Sequence, residues 1–141
     1  MIETLVQSVL AHWQSIGIAP MKGVSRRDVE AIEARLSFRL PDDVVTLYLA
    51  ANGMAAGDYD DRNIRFWQLE ELAQHVSTDA AGVSYGGFAD FLIMSHVYEV
   101  RLTRSGRTDV RIVADHSPTT VAATFSTFLD IYLKQPASLY T

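Results

Sequence analysis

The hydrophobic period of this chain changes twice along its length, and that limits the fold more than any other feature. In the first third, apolar residues recur at three- and four-residue steps. Ile2, Leu5, Val6, Val9, Trp13 and Ile16 form one such set; Val29, Ile32 and Leu36 form a second; Val44, Leu47 and Tyr48 form a third. That spacing lines one face of a helix. Between Tyr98 and Thr103 the period drops to two, with Tyr98, Val100 and Leu102 on one side and Glu99, Arg101 and Thr103 on the other. A strand with one buried face reads this way. Phe125, Phe128, Leu129, Tyr132 and Leu133 return to the helical step. Helices, then mostly sheet, then a helix predict an α+β fold, with helices packed mainly on one face of a largely antiparallel sheet. A length of 141 residues predicts one domain spanning residues 1–141.

Local signals set the boundaries. The first helix should stop at Gly17, with a loop through Pro20 to Gly23. Ser25 should cap the second helix, with Asp28 closing a shortened capping box, and Glu30 and Glu33 should face outward. Leu40-Pro41-Asp42-Asp43 opens the third, where proline is tolerated and carboxylates suit the positive end of the helix dipole. Asn52-Gly53 should end it, the glycine taking a left-handed conformation. Ala55 to Asn63 reads as a polar loop, Ile64 to Trp67 as a strand, Leu69 to His75 as a short helix and Ser77 to Gly87 as a loop. Phe88 to Ser95 reads as a central strand, Ser117-Pro118 as a turn and Val121 to Ala123 as a short strand. Thr124 should cap the closing helix and Pro136 end it.

Between the two alternating strands, Arg104-Ser105-Gly106 suits a three-residue hairpin loop. The register that follows sets Tyr98 opposite Ile112 and Val100 opposite Val110. It also sets Glu99 opposite Arg111 and Arg101 opposite Asp109, two opposite-charge pairs on the solvent face. A one-residue slip would break both patterns.

Several chemistries are excluded or disfavoured. Without cysteine there is no disulfide framework, thiol nucleophile or thiolate metal site. His12, His75, His96 and His116 lack the helical spacing of a zinc pair. Asp58, Asp60 and Asp61 begin like a calcium loop, but Arg62 and Asn63 stand where a ligand and a glycine are needed. No metal and no cofactor are expected. Gly82-Val83-Ser84-Tyr85-Gly86 fits the nucleophile elbow of serine hydrolases in letters only. A buried strand should precede it and a helix should follow, and the flanking residues suggest neither. A net charge of −5 opposes direct nucleic-acid binding. No apolar run nears the ~18 residues of a membrane span, and the start of the chain lacks a basic, signal-like stretch. A cytoplasmic protein is expected.

Charge is unevenly placed. From Asp42 to Asp79 there are eight carboxylates and only Arg62 and Arg65 against them, while the rest of the chain is near neutral. A concentrated acidic surface steers a basic partner. Asp58, Tyr59, Asp60, Asp61, Trp67, Glu70 and Glu71 are therefore the candidate partner-binding residues, with Tyr59 as an aromatic anchor.

The ordered segments resemble the SUKH superfamily, in its Smi/Knr-like branch. Ser25 to Leu36 is similar to the family's helix with a central glutamate, here Glu33. Leu40-Pro41-Asp42-Asp43, Leu47-Tyr48-Leu49 and Asn52-Gly53 are similar to its L-P-x-D…N-G helix. Ile64 to Leu72 resembles the following strand and short helix, Phe88 to Leu92 the next strand, and Phe125 to Leu129 the closing helix. The resemblance covers about residues 25–133. Val44 replaces a usual aromatic, and Met54 a second glycine. The resemblance implies an α+β fold without a catalytic constellation. It implies a non-enzymatic binding module, chiefly an immunity protein that neutralises a cognate toxin. That toxin could be a nuclease with a basic surface. A regulatory interaction protein of the Smi/Knr type is the alternative, and a small hydrolase at Ser84 the weaker one.

Overall fold

The computed structural model describes residues 2–102 and 107–140. Helix α1 (Ile2–Ser15) buries Val6, Val9 and Trp13, the predicted stripe. Helix α2 (Arg26–Leu36) starts with a full capping box: Asp28 N–H donates to Ser25 Oγ at 3.1 Å, and Ser25 N–H donates to Asp28 Oδ2 at 3.0 Å. Glu33 does not simply face solvent. Half-buried, it accepts from the Leu40 N–H at 2.7 Å and so holds the segment that leads into α3 (Asp42–Ala50).

Helix α3 ends two residues before Asn52, at Ala50, because Ala51 turns extended and bridges to Lys22. Asn52 and Gly53 act in the next connection instead. Asn52 Oδ1 accepts from the Leu69 N–H at 2.7 Å. Gly53 has φ +66°, and a Cβ there would lie 2.3 Å from the Trp67 carbonyl oxygen. The motif therefore docks the chain against the next element rather than stopping the helix.

Strand β1 (Ile64–Phe66) leads to α4 (Leu69–Gln74), then β2 (Val76–Thr78), β3 (Ser84–Phe91), β4 (His96–Leu102), β5 (Val110–Ala114), β6 (Ser117–Ala122) and α5 (Phe125–Lys134), followed by a 3-10 turn over Pro136–Leu139. All strand pairs are antiparallel, in the order β1-β3-β4-β5-β6, and β2 pairs the N-terminal part of β3 while β1 pairs its C-terminal part. Thr124 caps α5 by accepting from the Thr127 N–H at 3.0 Å.

The hairpin register is as expected: Tyr98 faces Ile112, Glu99 faces Arg111 and Val100 faces Val110. Arg101 N–H donates to the Asp109 carbonyl at 3.0 Å, which carries the pairing one residue further. The loop Arg104-Ser105-Gly106 lies outside the described residues. The paired charges Glu99, Arg101, Asp109 and Arg111 of this hairpin are not on an open face. Arg111 pairs with Glu99 at 2.8 Å and sits 3.7 Å over the Tyr85 ring, and Tyr85 donates to Asp109 at 2.9 Å.

Three expectations are corrected. Of Ser77 to Gly87 only residues 79–83 form a loop, because β2 runs to Thr78 and β3 starts at Ser84. The β3 strand stops at Phe91 rather than Ser95. The final hairpin turns at Asp115-His116, both left-handed with φ of +51° and +63°, a two-residue turn matched to strand twist. Ser117-Pro118 instead begins β6, an edge strand where proline's missing N–H is harmless.

Tyr98, Val100, Leu102, Phe66 and Phe88 pack with the buried faces of α1 and α5 into one core. A bulge between Gly87 and Ala89 turns both Phe88 and Ala89 toward it. The loop before β1, the start of α4 and the ends of β1 and β3 carry the candidate site.

Candidate partner-binding face

The acidic loop between α3 and β1 is built from inside by Asp60. This carboxylate is only 6 % exposed. Its Oδ1 accepts from the Arg62 and Ile64 N–H groups at 2.8 and 2.9 Å, and its Oδ2 accepts from the Tyr132 hydroxyl at 2.5 Å. Tyr132 in turn accepts from the Trp13 indole N–H at 3.0 Å. Asp60 thus ties the loop to α5 and α1, and it offers a partner almost no surface. Burial first, and the Asp60 charge second, push the Tyr132 hydroxyl well above the usual phenol range.

Trp67 is also inside, 1 % exposed. Its ring lies against Gly87 so closely that a Cβ there would sit 2.7 Å from it, and the His75 ring packs beside it at 4.7 Å between centroids. Its indole N–H donates to Asp90 Oδ1 at 2.6 Å. Asp90, at 0 % exposure, also accepts from the Tyr59 hydroxyl at 2.6 Å and the Met94 N–H at 2.7 Å. One buried carboxylate thus joins three segments: the acidic loop, the end of β1 and the turn after β3. Burial and the Asp90 hydrogen bond push the Tyr59 hydroxyl up to about 12.

Glu71 is half-buried and takes both arms of the Arg65 guanidinium, at 2.7 and 3.0 Å. Burial raises its carboxyl, but the Arg65 and Gln68 hydrogen bonds outweigh that and hold it below the usual glutamate range. Arg65 also donates to the Ala55 and Met54 carbonyls, which pins the start of the loop. Glu70 is exposed and pairs with Arg35 at 2.8 Å. Asp61 is exposed, 3.7 Å from His12. Asp58 is exposed, and no bond to its side chain occurs among the described residues.

Ligand atoms of His12, Asp60 and Asp61 lie within 4.8 Å of one another. The three donors already on Asp60 account for its burial without an ion.

The seven sequence candidates therefore fall into two groups. Asp58, Asp61 and Glu70, with the edge of Tyr59 and Glu71, reach solvent, whereas Asp60 and Trp67 are buried. Much of the acidity between Asp42 and Asp79 is compensated internally. Sequence reasoning missed Asp90 and the turn after it, where Leu92, Ile93 and Met94 are 49, 79 and 49 % exposed. An unbroken apolar run gave no sign that the strand ended.

Ser84 sits within β3, 7 % exposed, and its hydroxyl shares a hydrogen bond with Thr78 at 2.8 Å. The strand runs on to Phe91, so the sharp strand-to-helix turn of a nucleophile elbow is not formed here.

These features define an α+β fold: an antiparallel sheet with helices packed mainly on one face, and an acidic loop tied by buried carboxylates to α1, α5 and the turn after β3. The chain belongs to the SMI1 / KNR4 family (SUKH-1), whose profile matches residues 23–131. The match bears out the resemblance read over about residues 25–133. No curated protein is significantly similar to it. Among the described residues no helix is long and apolar enough to cross a membrane.

Proposed function

We propose that this protein is a binding module of the immunity type, which neutralises a cognate protein toxin by covering its active or substrate-binding surface. It performs no chemistry of its own and acts in the cytoplasm. The observation that carries this reading is family membership over residues 23–131, because the resemblance to bacterial SUKH proteins implies toxin binding. The partner face consists of Asp58, Asp61 and Glu70 with Tyr59 and Glu71, while Asp60 and Trp67 are buried. If the toxin is a nuclease, this face meets the basic groove that otherwise holds nucleic acid.

The test is capture on the purified protein from native cells at low and at high salt, followed by a neutralisation assay on what is bound. The expected result is a stoichiometric toxin whose activity is abolished by an equimolar amount of this protein. Recovery of housekeeping proteins alone would favour a regulatory scaffold instead.

A further inference from the structure

We infer that the turn Leu92–Met94 is the apolar anchor of the partner interface, inserting into an apolar pocket with a cationic rim on a second folded protein. This rests on the binding-module reading above and specifies the residues that supply the affinity. Leu92, Ile93 and Met94 are three consecutive large apolar side chains in solvent, and Ile93 is 79 % exposed. Among the described residues, the next large hydrophobic side chain in solvent is Met21, at 38 %.

The backbone is unusual in the same place. Leu92, Ile93 and Met94 have φ of +52°, +52° and +70°. Left-handed backbone is unfavourable for any residue with a Cβ and most of all for a β-branched one such as Ile93; glycine or asparagine is the usual occupant. The turn is nonetheless fixed. Met94 N–H donates to Asp90 at 2.7 Å, Leu92 N–H donates to the Asn63 carbonyl at 3.0 Å, and Ser95 Oγ donates to the Phe91 carbonyl at 3.1 Å. Strain at over-determined positions clusters at binding sites. A rigid apolar knob loses little freedom on docking, which suits an interface anchor.

The surroundings select the occupant. The knob is convex, so its complement is concave. It is bonded to the acidic loop through Asn63 and shares Asp90 with Tyr59; that loop also carries the exposed Asp58 and Asp61, with Arg62 next to Asn63 and His96 two residues beyond Met94. The exposed carboxylates of the loop bonded to it oppose an anionic lipid surface, which attracts basic segments, and they complement a cationic rim. The cleft between α2 and α3 sets Val29, Leu40 and Val45 among three carboxylates, Glu30, Glu33 and Asp42, and two arginines, Arg26 and Arg39, so a second copy of this chain offers no net cationic rim there.

The test places a photo-crosslinker in native cells as Ile93→p-benzoylphenylalanine, with Asp58→p-benzoylphenylalanine on the acidic loop and Thr119→p-benzoylphenylalanine on the exposed β6 strand for comparison. The expected result at position 93 is an adduct with one protein, absent at position 119, whose linked peptide is apolar and bordered by Lys or Arg. Ile93→Asp, at unchanged melting temperature, should lower recovery of that protein by about tenfold or more. No adduct at 93, equal adducts at 119, adducts only with lipid or with the chain itself, or recovery unaltered by Ile93→Asp would each overturn the inference. If the adduct protein is not a toxin, the anchor stands and the immunity reading fails. If a toxin is linked from position 58 but never from 93, immunity stands and the anchor fails.

Discussion

The Tyr59 hydroxyl donates to the Asp90 carboxylate across 2.6 Å, and that bond locks the acidic loop to the turn that follows β3. The two residues lie 31 positions apart in sequence. Asp90 would otherwise be a buried charge in the middle of a sheet. It is tolerated because three donors converge on it and Arg65, its partner across the β1–β3 ladder, lies close enough for its own charge to be reinforced.

Removing Asp90 should therefore be severe. Asp90→Ala leaves the Trp67 indole N–H, the Tyr59 hydroxyl and the Met94 N–H without their acceptor, and the expected loss is about 3 kcal/mol or more at ~1–3 kcal/mol per buried unsatisfied group. Tyr59→Phe alone should cost about 1–2 kcal/mol. In the Asp90→Ala background the second substitution should cost almost nothing, which a double-mutant cycle by urea unfolding measures. Simple additivity would show that the bond contributes nothing.

The Glu71–Arg65 pair predicts acid sensitivity. The folded-state pKa of Glu71 is lowered, so its stabilisation is complete above the ordinary glutamate value of about 4.3 and is lost as pH falls through the lowered folded value. The melting temperature should drop less between about pH 7 and about pH 3 in Glu71→Gln than in the parent protein. An equal drop would place the acid-labile contact elsewhere.

The strained turn makes a stability prediction of opposite sign. Ile93→Gly relieves a left-handed β-branched residue and should stabilise the fold by up to about 1 kcal/mol, raising the melting temperature by roughly 2–4 °C. The same variant should bind its partner more weakly, because the anchor is gone. A lower melting temperature would show that Ile93 packs better than its 79 % exposure indicates.

The exposed carboxylates should act on encounter rather than on the final complex. Asp58→Asn with Asp61→Asn should slow association with the captured partner and flatten its dependence on salt, with a smaller change in dissociation. Stopped-flow mixing at two ionic strengths reads this directly. Unchanged association at both would remove the steering role from the acidic loop.

The legible parts of the sequence were those where one local signal sufficed. Ser25 and Asp28 marked a capping box, Thr124 marked a cap, and the alternation of Tyr98 to Leu102 against Val110 and Ile112 fixed a register. The illegible parts depended on partners far along the chain. Gly86 and Gly87 read as loop glycines, yet they lie in β3, where the Leu72 and Trp67 side chains crowd the place of a Cβ. Asn52-Gly53 read as a helix stop, although its side chain and its close backbone approach serve the start of α4 and the Trp67 carbonyl. The acidic residues around position 60 were visible, but not that Asp60 points inward to Tyr132 while Asp58 stays out. Asp115-His116 carried a usable turn signal in its aspartate, overshadowed by the adjacent Ser-Pro pair. Nothing local distinguished Phe91 as a strand end from Leu92 as the first residue of an exposed turn.

The central claim is that this protein protects its cell by binding a toxin. The most direct measurement is a growth competition between native cells lacking this chain and their intact parents, at high density with cell contact. Protection predicts that the deleted cells are killed beside their parents and grow normally alone. It also predicts that the wild-type chain, but not the Ile93→Asp chain, restores survival. Equal survival of deleted and intact cells in contact would contradict it.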